Sequence, residues 1–372
     1  MSKLTRRAVM AALASPLIGA PVIARAAAPI TDVLGRKVTL KAPPERIVVG
    51  FNFEEFTAVA GPEGWTRVVG FSRSLWEGWR NSSFRRYSAV LPNLAGLPEI
   101  GNAEDGNFNM EALLALRPDL LIMPQWGFSV LGQQMAQIEA LGIPIVVIDY
   151  NAQDPAKHVA STRALAAATG NEARGEALAQ LYLSKLADIQ ARAAKAGTHP
   201  RVYVELGQAG PGTIGNTYTT GMWGRILDLI GANNIATGKI AAAWGPLNPE
   251  YILAANPEAV FIAGSSWANR PQAVITGFEA DVALTRSRLA AYAKREGWER
   301  LDAVRNGQVF AVEHGLCRSL WDFTAMQFIA KGLWPAAFGD VDPSAELAKY
   351  HADWLPVRFE GTWMTRLTPA AA

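Results

Sequence analysis

The chain is expected to be an α/β protein of two similar lobes, and three observations carry that expectation. A helix–strand unit is written twice, 139 positions apart. The first copy runs Asn109-Met110-Glu111-Ala112-Leu113-Leu114-Ala115-Leu116-Arg117-Pro118-Asp119 and continues into Leu120-Leu121-Ile122; the second runs Asn248-Pro249-Glu250-Tyr251-Ile252-Leu253-Ala254-Ala255-Asn256-Pro257-Glu258 and continues into Ala259-Val260-Phe261-Ile262. In each, Asn can cap a short helix, Glu sits in its first turn, and Pro ends it before an apolar run that reads as a buried strand. The interval is far longer than the roughly 20–50 residues of a solenoid repeat, so the copies belong to two lobes and not to a stack. Finally, 372 residues, half of them hydrophobic and 18% charged, suffice for two cores at about 150 residues per domain.

Residues 1–26 read as a targeting segment. Lys3, Arg6 and Arg7 make a positive start, 8–23 is mildly apolar, and Ala24-Arg25-Ala26 offers a small-x-small cleavage site. Thr5-Arg6-Arg7-Ala8-Val9-Met10 is similar to a twin-arginine export signal, the alternative being an ordinary secretory signal that carries two arginines. Either route takes the mature chain to the periplasm. No Cys lies near the cleavage site, so a lipid anchor there is not expected, and no later apolar run reaches the roughly 20 residues of a membrane span. Without the leader's four basic residues, the balance moves from 35 basic against 33 acidic to 31 against 33, a formal net of −2. Nucleic acid is therefore not expected as a partner. Cys317 is the single cysteine, so no intrachain disulfide is available.

An N-terminal lobe is expected over 27–154. Arg46-Ile47-Val48-Val49-Gly50 is a strand ending at the loop Phe51-Asn52-Phe53, followed by a helix through Glu54 to Ala60 and a strand at 67–71. Residues 72–108, polar, aromatic and rich in Gly and Pro, read as a long surface excursion of the kind that carries function. After the first repeat come a helix around Gln133 to Leu141, stopped by Gly142, and the strand Ile145–Ile148. Strands alternating with helices indicate parallel βαβ units. A connecting segment at 155–197 follows. Within it, Glu172 to Ala196 keeps Leu178, Leu181, Tyr182, Leu186 and Ile189 at helical spacing, and 25 residues of helix span roughly 37 Å, enough to cross between lobes. The second lobe, 198–372, opens at Arg201-Val202-Tyr203-Val204-Glu205. It continues through a Gly/Thr-rich loop, a helix from Met222 to Leu229, the second repeat and a strand at 308–312. The tail beyond Asp340 has no evident place.

These pieces resemble the periplasmic substrate-binding proteins of iron–siderophore and cobalamin ABC importers. The resemblance runs from about Arg46 to Gly339. It rests on both repeats, on Leu141-Gly142-Ile143-Pro144, on Leu227-Asp228-Leu229-Ile230-Gly231-Ala232-Asn233-Asn234-Ile235, and on Trp298-Glu299-Arg300-Leu301-Asp302-Ala303-Val304-Arg305-Asn306-Gly307-Gln308-Val309. It implies two Rossmann-like lobes joined by one long rigid helix, with ligand held in the cleft between them. It also implies that Glu111 and Glu250, one on each lobe, dock into arginine pockets on the permease.

In parallel α/β sheets ligands lie beyond the carboxyl ends of the strands. That rule selects Phe51, Asn52, Phe53, Gln125, Trp126, Tyr218, Trp267, Arg270, His314, Arg318 and Trp321, and the excursion adds Trp76, Trp79, Arg80, Arg85 and Arg86. Aromatic faces suit flat or apolar ligand surfaces, and guanidinium groups suit carboxylate, catecholate or hydroxamate oxygens. The expected cargo is a ferric siderophore or related metal chelate carried whole, handed by a monomeric receptor to an inner-membrane ABC permease. Haem or cobalamin in the same cleft is the alternative, with His314 or Tyr218 as an axial ligand in the haem case. No resident cofactor or metal is expected, iron entering only as part of the chelate: of the four His, only His314 lies in a plausible site loop, and bare-metal sites need several converging ligands. An enzyme is not expected either. The chain has no Gly-x-x-x-x-Gly-Lys, no His-Glu-x-x-His and no Gly-x-Ser-x-Gly.

Overall fold

A computed structural model describes residues 29–91 and 93–367 of the chain. The targeting segment expected at 1–26 lies outside them. Four apolar strands form the first sheet in the spatial order Val68–Phe71, Ile47–Val49, Leu120–Pro124, Ile145–Ile148, all parallel. The second sheet repeats this arrangement. Asn233–Asn234, Arg201–Leu206, Ala259–Gly264 and Val309–Glu313 are parallel neighbours, and Met364–Arg366 adds an antiparallel edge. In chain order both sheets therefore read 2-1-3-4. Each has its topological switch between its first and third strands, the place where open α/β sheets bind ligands.

Side chains of a strand alternate between its two faces, and here the alternation sorts residues into separate cores. Val48, Leu121, Met123, Ile145 and Val147 fill a core private to the first lobe, while Tyr203, Val260, Ile262, Val309 and Ala311 fill one private to the second. Their neighbours Ile47, Val49, Ile122, Val204, Phe261 and Val312 all point into one continuous central core shared by both lobes. The shared layer is built on Phe53–Ala60, Pro155–Thr169, Glu172–Ala196, Phe323–Leu333 and Pro343–Trp354.

The Glu172–Ala196 helix spans the residues its periodicity predicts and ends at Gly197, whose positive φ of 67° is the left-handed cap that glycine adopts without strain. It is fastened at both ends. Arg174 donates from Nε to the Ala58 carbonyl at 2.6 Å and from Nη2 to the Trp354 carbonyl at 2.8 Å; near the other end, Gln190 donates to the Leu229 carbonyl at 3.1 Å and Arg192 pairs with Asp340 at 2.7 Å. A shared core and a doubly fastened helix oppose large relative rotation of the lobes.

Two parts of the chain depart from the sequence expectation. The stretch after Phe71 is not a surface loop: it folds into the helices Arg73–Trp79 and Asn81–Val90, because Leu75, Trp76, Phe84, Tyr87, Leu91 and Leu94 are all buried in the central core. The tail beyond Asp340 has a definite place. It forms the Pro343–Trp354 helix, capped by Asp342, and then the edge strand beside Val309–Glu313.

Candidate functional site

An interlobe cavity of about 510 Å³ lies beyond the carboxyl ends of the strands. The first lobe contributes Phe51 and Trp126, which follow the two strands at its switch point, together with Leu75, Trp79, Glu104, Val130 and Asn151. The second contributes Leu206, Gln208 and Trp267 from the equivalent strand ends, then Asn216, Tyr218, Met222, Trp244, His314 and Arg318. A larger groove of about 700 Å³ lies at the opposite ends of the first lobe's strands, around Pro118, Asp119, Pro144 and Ile145. It is built from one lobe only and lies away from the switch points, so the interlobe cavity is the candidate site.

The structure brings Phe51, Trp79, Trp126, Tyr218, Trp267, His314 and Arg318 together on the cavity wall. The other residues singled out from the sequence do not line it. Phe53 begins the helix that turns into the central core and packs on Trp76 and Tyr87, with ring centroids 4.3 and 4.9 Å apart. Trp76 is buried behind the wall and donates from its indole to the Phe51 carbonyl at 3.0 Å, and Asn52 is buried and donates to Glu55 at 3.3 Å. Trp321 is buried against Tyr350 with centroids 4.8 Å apart. Gln125 is half-buried, its amide oxygen accepting from Lys157 at 2.8 Å. Arg85 and Arg86 lie at the surface, paired with Glu279 and Glu360, and Arg270 is exposed on a loop outside the cavity. The strand-end rule selects loops that reach the cavity, but within a loop adjacent side chains diverge.

Arg80 is the sharpest departure. Its side chain is 5% exposed and forms an ion pair with Glu54, while its Nε lies 3.4 Å from Glu313 of the second lobe. Glu313 also accepts from Ser265 Oγ at 2.9 Å and from the Leu316 amide at 3.2 Å. Around this network the lobes are sewn together: the Asn81 amide donates to the Ser266 carbonyl at 3.2 Å, Ser82 and Ser266 hydroxyls meet at 2.7 Å, and the Ala268 amide donates to the Gly78 carbonyl at 2.9 Å. Gly315 is required here, since a Cβ would collide with the Arg80 guanidinium. Arg80 is a structural bridge beneath the cavity floor and not part of its wall.

Next to the network, burial and then the charge of Glu54 push the Glu55 carboxyl up to about 7 from its ordinary 4.5. Folded chain thus holds this proton over a window in which unfolded chain releases it, so stability falls as pH rises from about 4.5 to about 7. Glu55→Gln is expected to remove this decline, worth roughly 3 kcal/mol, when urea unfolding is compared across that window. An unchanged slope would mean that Glu55 ionises normally in the fold.

Arg318 stands in contrast to Arg80. Its guanidinium carbon lies 5.6 Å from the rings of both Phe51 and Trp79, it has no carboxylate partner among the described residues, and its Nε is buried without an acceptor. His314 is buried beside it, facing Tyr218 and Trp267 at centroid distances of 5.9 and 6.2 Å. Burial, reinforced by Arg318 and Arg80, holds His314 well below the ordinary imidazole range, so the ring is neutral. Burial also pushes the Tyr218 hydroxyl up, away from the phenolate. Among the described residues no cluster of three or more His, Cys, Asp or Glu side chains is placed to hold a metal ion.

Several wall residues lie beyond the sequence reading. Leu206 ends and Gln208 follows the first strand of the second lobe, and Asn151 follows the last strand of the first, so the strand-end rule applied to every strand reaches them. Trp244, 58% exposed, pairs in register with Tyr218 across the antiparallel ribbon of Asn216–Tyr218 and Trp244–Pro246, and no local pattern announces it.

Two lobes with matching parallel sheets, a shared core and a cavity across the switch points define a bilobal solute-binding protein. The chain matches the periplasmic binding protein family over residues 70–314 and belongs to it. It is a binding protein of the class that serves ABC importers, and not an enzyme. It is similar to the TroA-like periplasmic binding protein FepB of Veillonella parvula, at 33% identity over 92% of this chain and 100% of that one, with a TM-score of 0.87. It shares its fold with the molybdate-bound MolA of Haemophilus influenzae, at 19% identity over 90% of this chain and 99% of that one and a TM-score of 0.67. The uncharacterized ABC transporter substrate-binding lipoprotein YvrC of Bacillus subtilis is 25% identical over 57% of this chain, and the match spans 60% of YvrC's own length. No helix among the described residues is long and apolar enough to cross a membrane.

Proposed function

We propose that this chain captures an anionic iron(III) chelate, a ferric siderophore, in the periplasm and delivers it to an inner-membrane ABC permease. One observation carries the reading: a guanidinium without a carboxylate partner among the described residues, Arg318, set by aromatic rings in the wall of an interlobe cavity. A buried or half-buried cation of this kind is stabilised when an anionic ligand supplies the missing partner. The aromatic walls and a volume of about 510 Å³ suit an organic ligand, for which roughly 300–1,000 Å³ is typical, better than a bare tetraoxoanion such as the molybdate held by MolA. The aromatic faces of Phe51, Trp79, Tyr218 and Trp267 on the cavity wall also suit a flat macrocycle, which makes haem the second reading. Trp79, Trp126, Trp244 and Trp267 all line the cavity, so indole fluorescence reports occupancy. Titration with ferric hydroxamates, ferric catecholates, ferric citrate, haem, cobalamin and molybdate is expected to give saturable quenching with an anionic ferric chelate. Silence from every ferric chelate would reject the reading.

Delivery rests on Glu111 and Glu250. Each lies in the first turn of a short exposed helix, Met110–Ala115 or Pro249–Ala255, whose Asn caps accept from the Ala112 amide at 2.9 Å and from the Glu250 amide at 2.7 Å. Neither carboxylate has a salt-bridge partner among the described residues, so both are free for an external cation. Because the helices of a βαβ unit run antiparallel to its strands, both helix starts face the side on which the cavity opens. Two carboxylates on a frame that resists rotation make a two-point electrostatic contact. Glu111→Ala combined with Glu250→Ala is expected to abolish uptake in cells while leaving ligand affinity unchanged; surviving uptake would refute docking through this pair.

A further inference from the structure

The orientation of one proton in the cavity bears on what kind of ligand it holds. Trp223, fully buried at the start of the Trp223–Leu229 helix, donates from its indole Nε1 to His314 Nδ1 at 3.0 Å. An indole nitrogen only donates, so Nδ1 must be the accepting, unprotonated nitrogen. The ring is neutral, and its single proton therefore sits on Nε2, which has no hydrogen-bond partner among the described residues while the residue lines the cavity.

We infer that Trp223 locks His314 as an Nε2–H donor, so that His314 and Arg318 form a paired donor clamp for ligand oxygen atoms, and the cargo's metal is not ligated by this histidine. The inference deepens the proposed function and rests on it for the identity of the cargo. A histidine that binds a metal normally donates its second ring N–H to a carboxylate, carbonyl or water, which leaves the ligating nitrogen bare. Here the second-nitrogen partner has the opposite polarity. Ligation through Nε2 would require either loss of the Trp223 hydrogen bond or removal of the ring's one remaining proton to give an imidazolate. The clamp instead matches a chelate whose own oxygen atoms face outward: Arg318 supplies charge and several N–H groups, His314 supplies one neutral N–H, and Phe51, Trp79 and Trp267 supply apolar faces around them. Glu104, exposed, is the one carboxylate lining the cavity among the described residues; it opposes an anion that sits beside it and so favours a position near the clamp.

The tautomer is directly measurable in the full chain labelled with ¹⁵N. Long-range ¹⁵N–¹H correlation of the histidine rings, with His314 assigned by the signal lost in His314→Ala, is expected to show protonated Nε2 and bare Nδ1. Trp223→Phe is expected to release the lock and give mixed tautomers, a change that a packing role alone does not produce. In ligand titrations, His314→Ala is expected to weaken ferric citrate or a ferric tricatecholate by about 10-fold or more, the loss expected for a hydrogen bond to a charged acceptor. Ferric protoporphyrin is expected to show no Soret shift that depends on His314. Protonated Nδ1 in the unmutated chain, or a Soret shift abolished by His314→Ala, overturns the inference. Failure of every ferric chelate to bind defeats the functional reading instead, and the tautomer spectrum still decides the state of His314.

Discussion

Arg318→Ala is expected to weaken binding of an anionic ferric chelate by about 10–100-fold, as read by quenching of the cavity tryptophans, and to change binding of a neutral chelate little. The reason is local. Arg318 has no salt-bridge partner among the described residues, and the rings of Phe51 and Trp79 hold its guanidinium in one place, so little ordering is left for the ligand to impose. Arg270→Ala is the control. Arg270 is exposed on a loop outside the cavity, and its loss is expected to leave affinity unchanged. Equal losses for charged and neutral chelates would show that Arg318 acts through packing and not through charge.

Arg80→Ala is expected to destabilise the fold by about 3–5 kcal/mol, measured as a lower urea midpoint at unchanged slope. The variant leaves Glu54 and Glu313 buried without their shared cation, and a buried carboxylate without a partner responds by holding its proton. Burial already raises the Glu54 carboxyl, with Arg80 as the main opposing influence, so removing Arg80 raises it further. The deficit is therefore expected to be smaller in acid and to grow as pH rises through the carboxylate range. Gly315→Ala attacks the same network from the second lobe by pushing a methyl group into the guanidinium. A deficit that does not vary with pH would indicate lost packing around Trp76 and Trp363 and not lost charge compensation.

Arg80 and Arg318 also mark the limit of what the sequence reveals. Both are arginines that the sequence assigns to a cleft, Arg80 through the excursion after Phe71 and Arg318 through strand-end reasoning, and each lies near tryptophans in the chain. One finds Glu54, 26 positions away, and Glu313, 233 positions away, and becomes a buried bridge; the other forms no salt bridge among the described residues and lines the cavity. Phe51 and Phe53 make the same point over a shorter distance. Two residues apart in one loop, they part because the helix starting at Phe53 turns its first side chain into the central core. The stretch after Phe71 was legible as unusual but not as helical, since its burial depends on a core supplied by residues far along the chain.

The local pattern by itself determined the two α/β lobes, the repeated capped helix before a strand, the 25-residue connecting helix and the loops from which the cavity is drawn. Each of these follows from periodicity, capping and helix-stopping residues acting over a few neighbours. Tertiary structure alone decided which side chains in those loops meet, which arginine is neutralised, and which nitrogen of His314 carries the proton. Those outcomes depend on groups brought together from both lobes, and a charge or a hydrogen bond responds to distance in space rather than to separation along the chain.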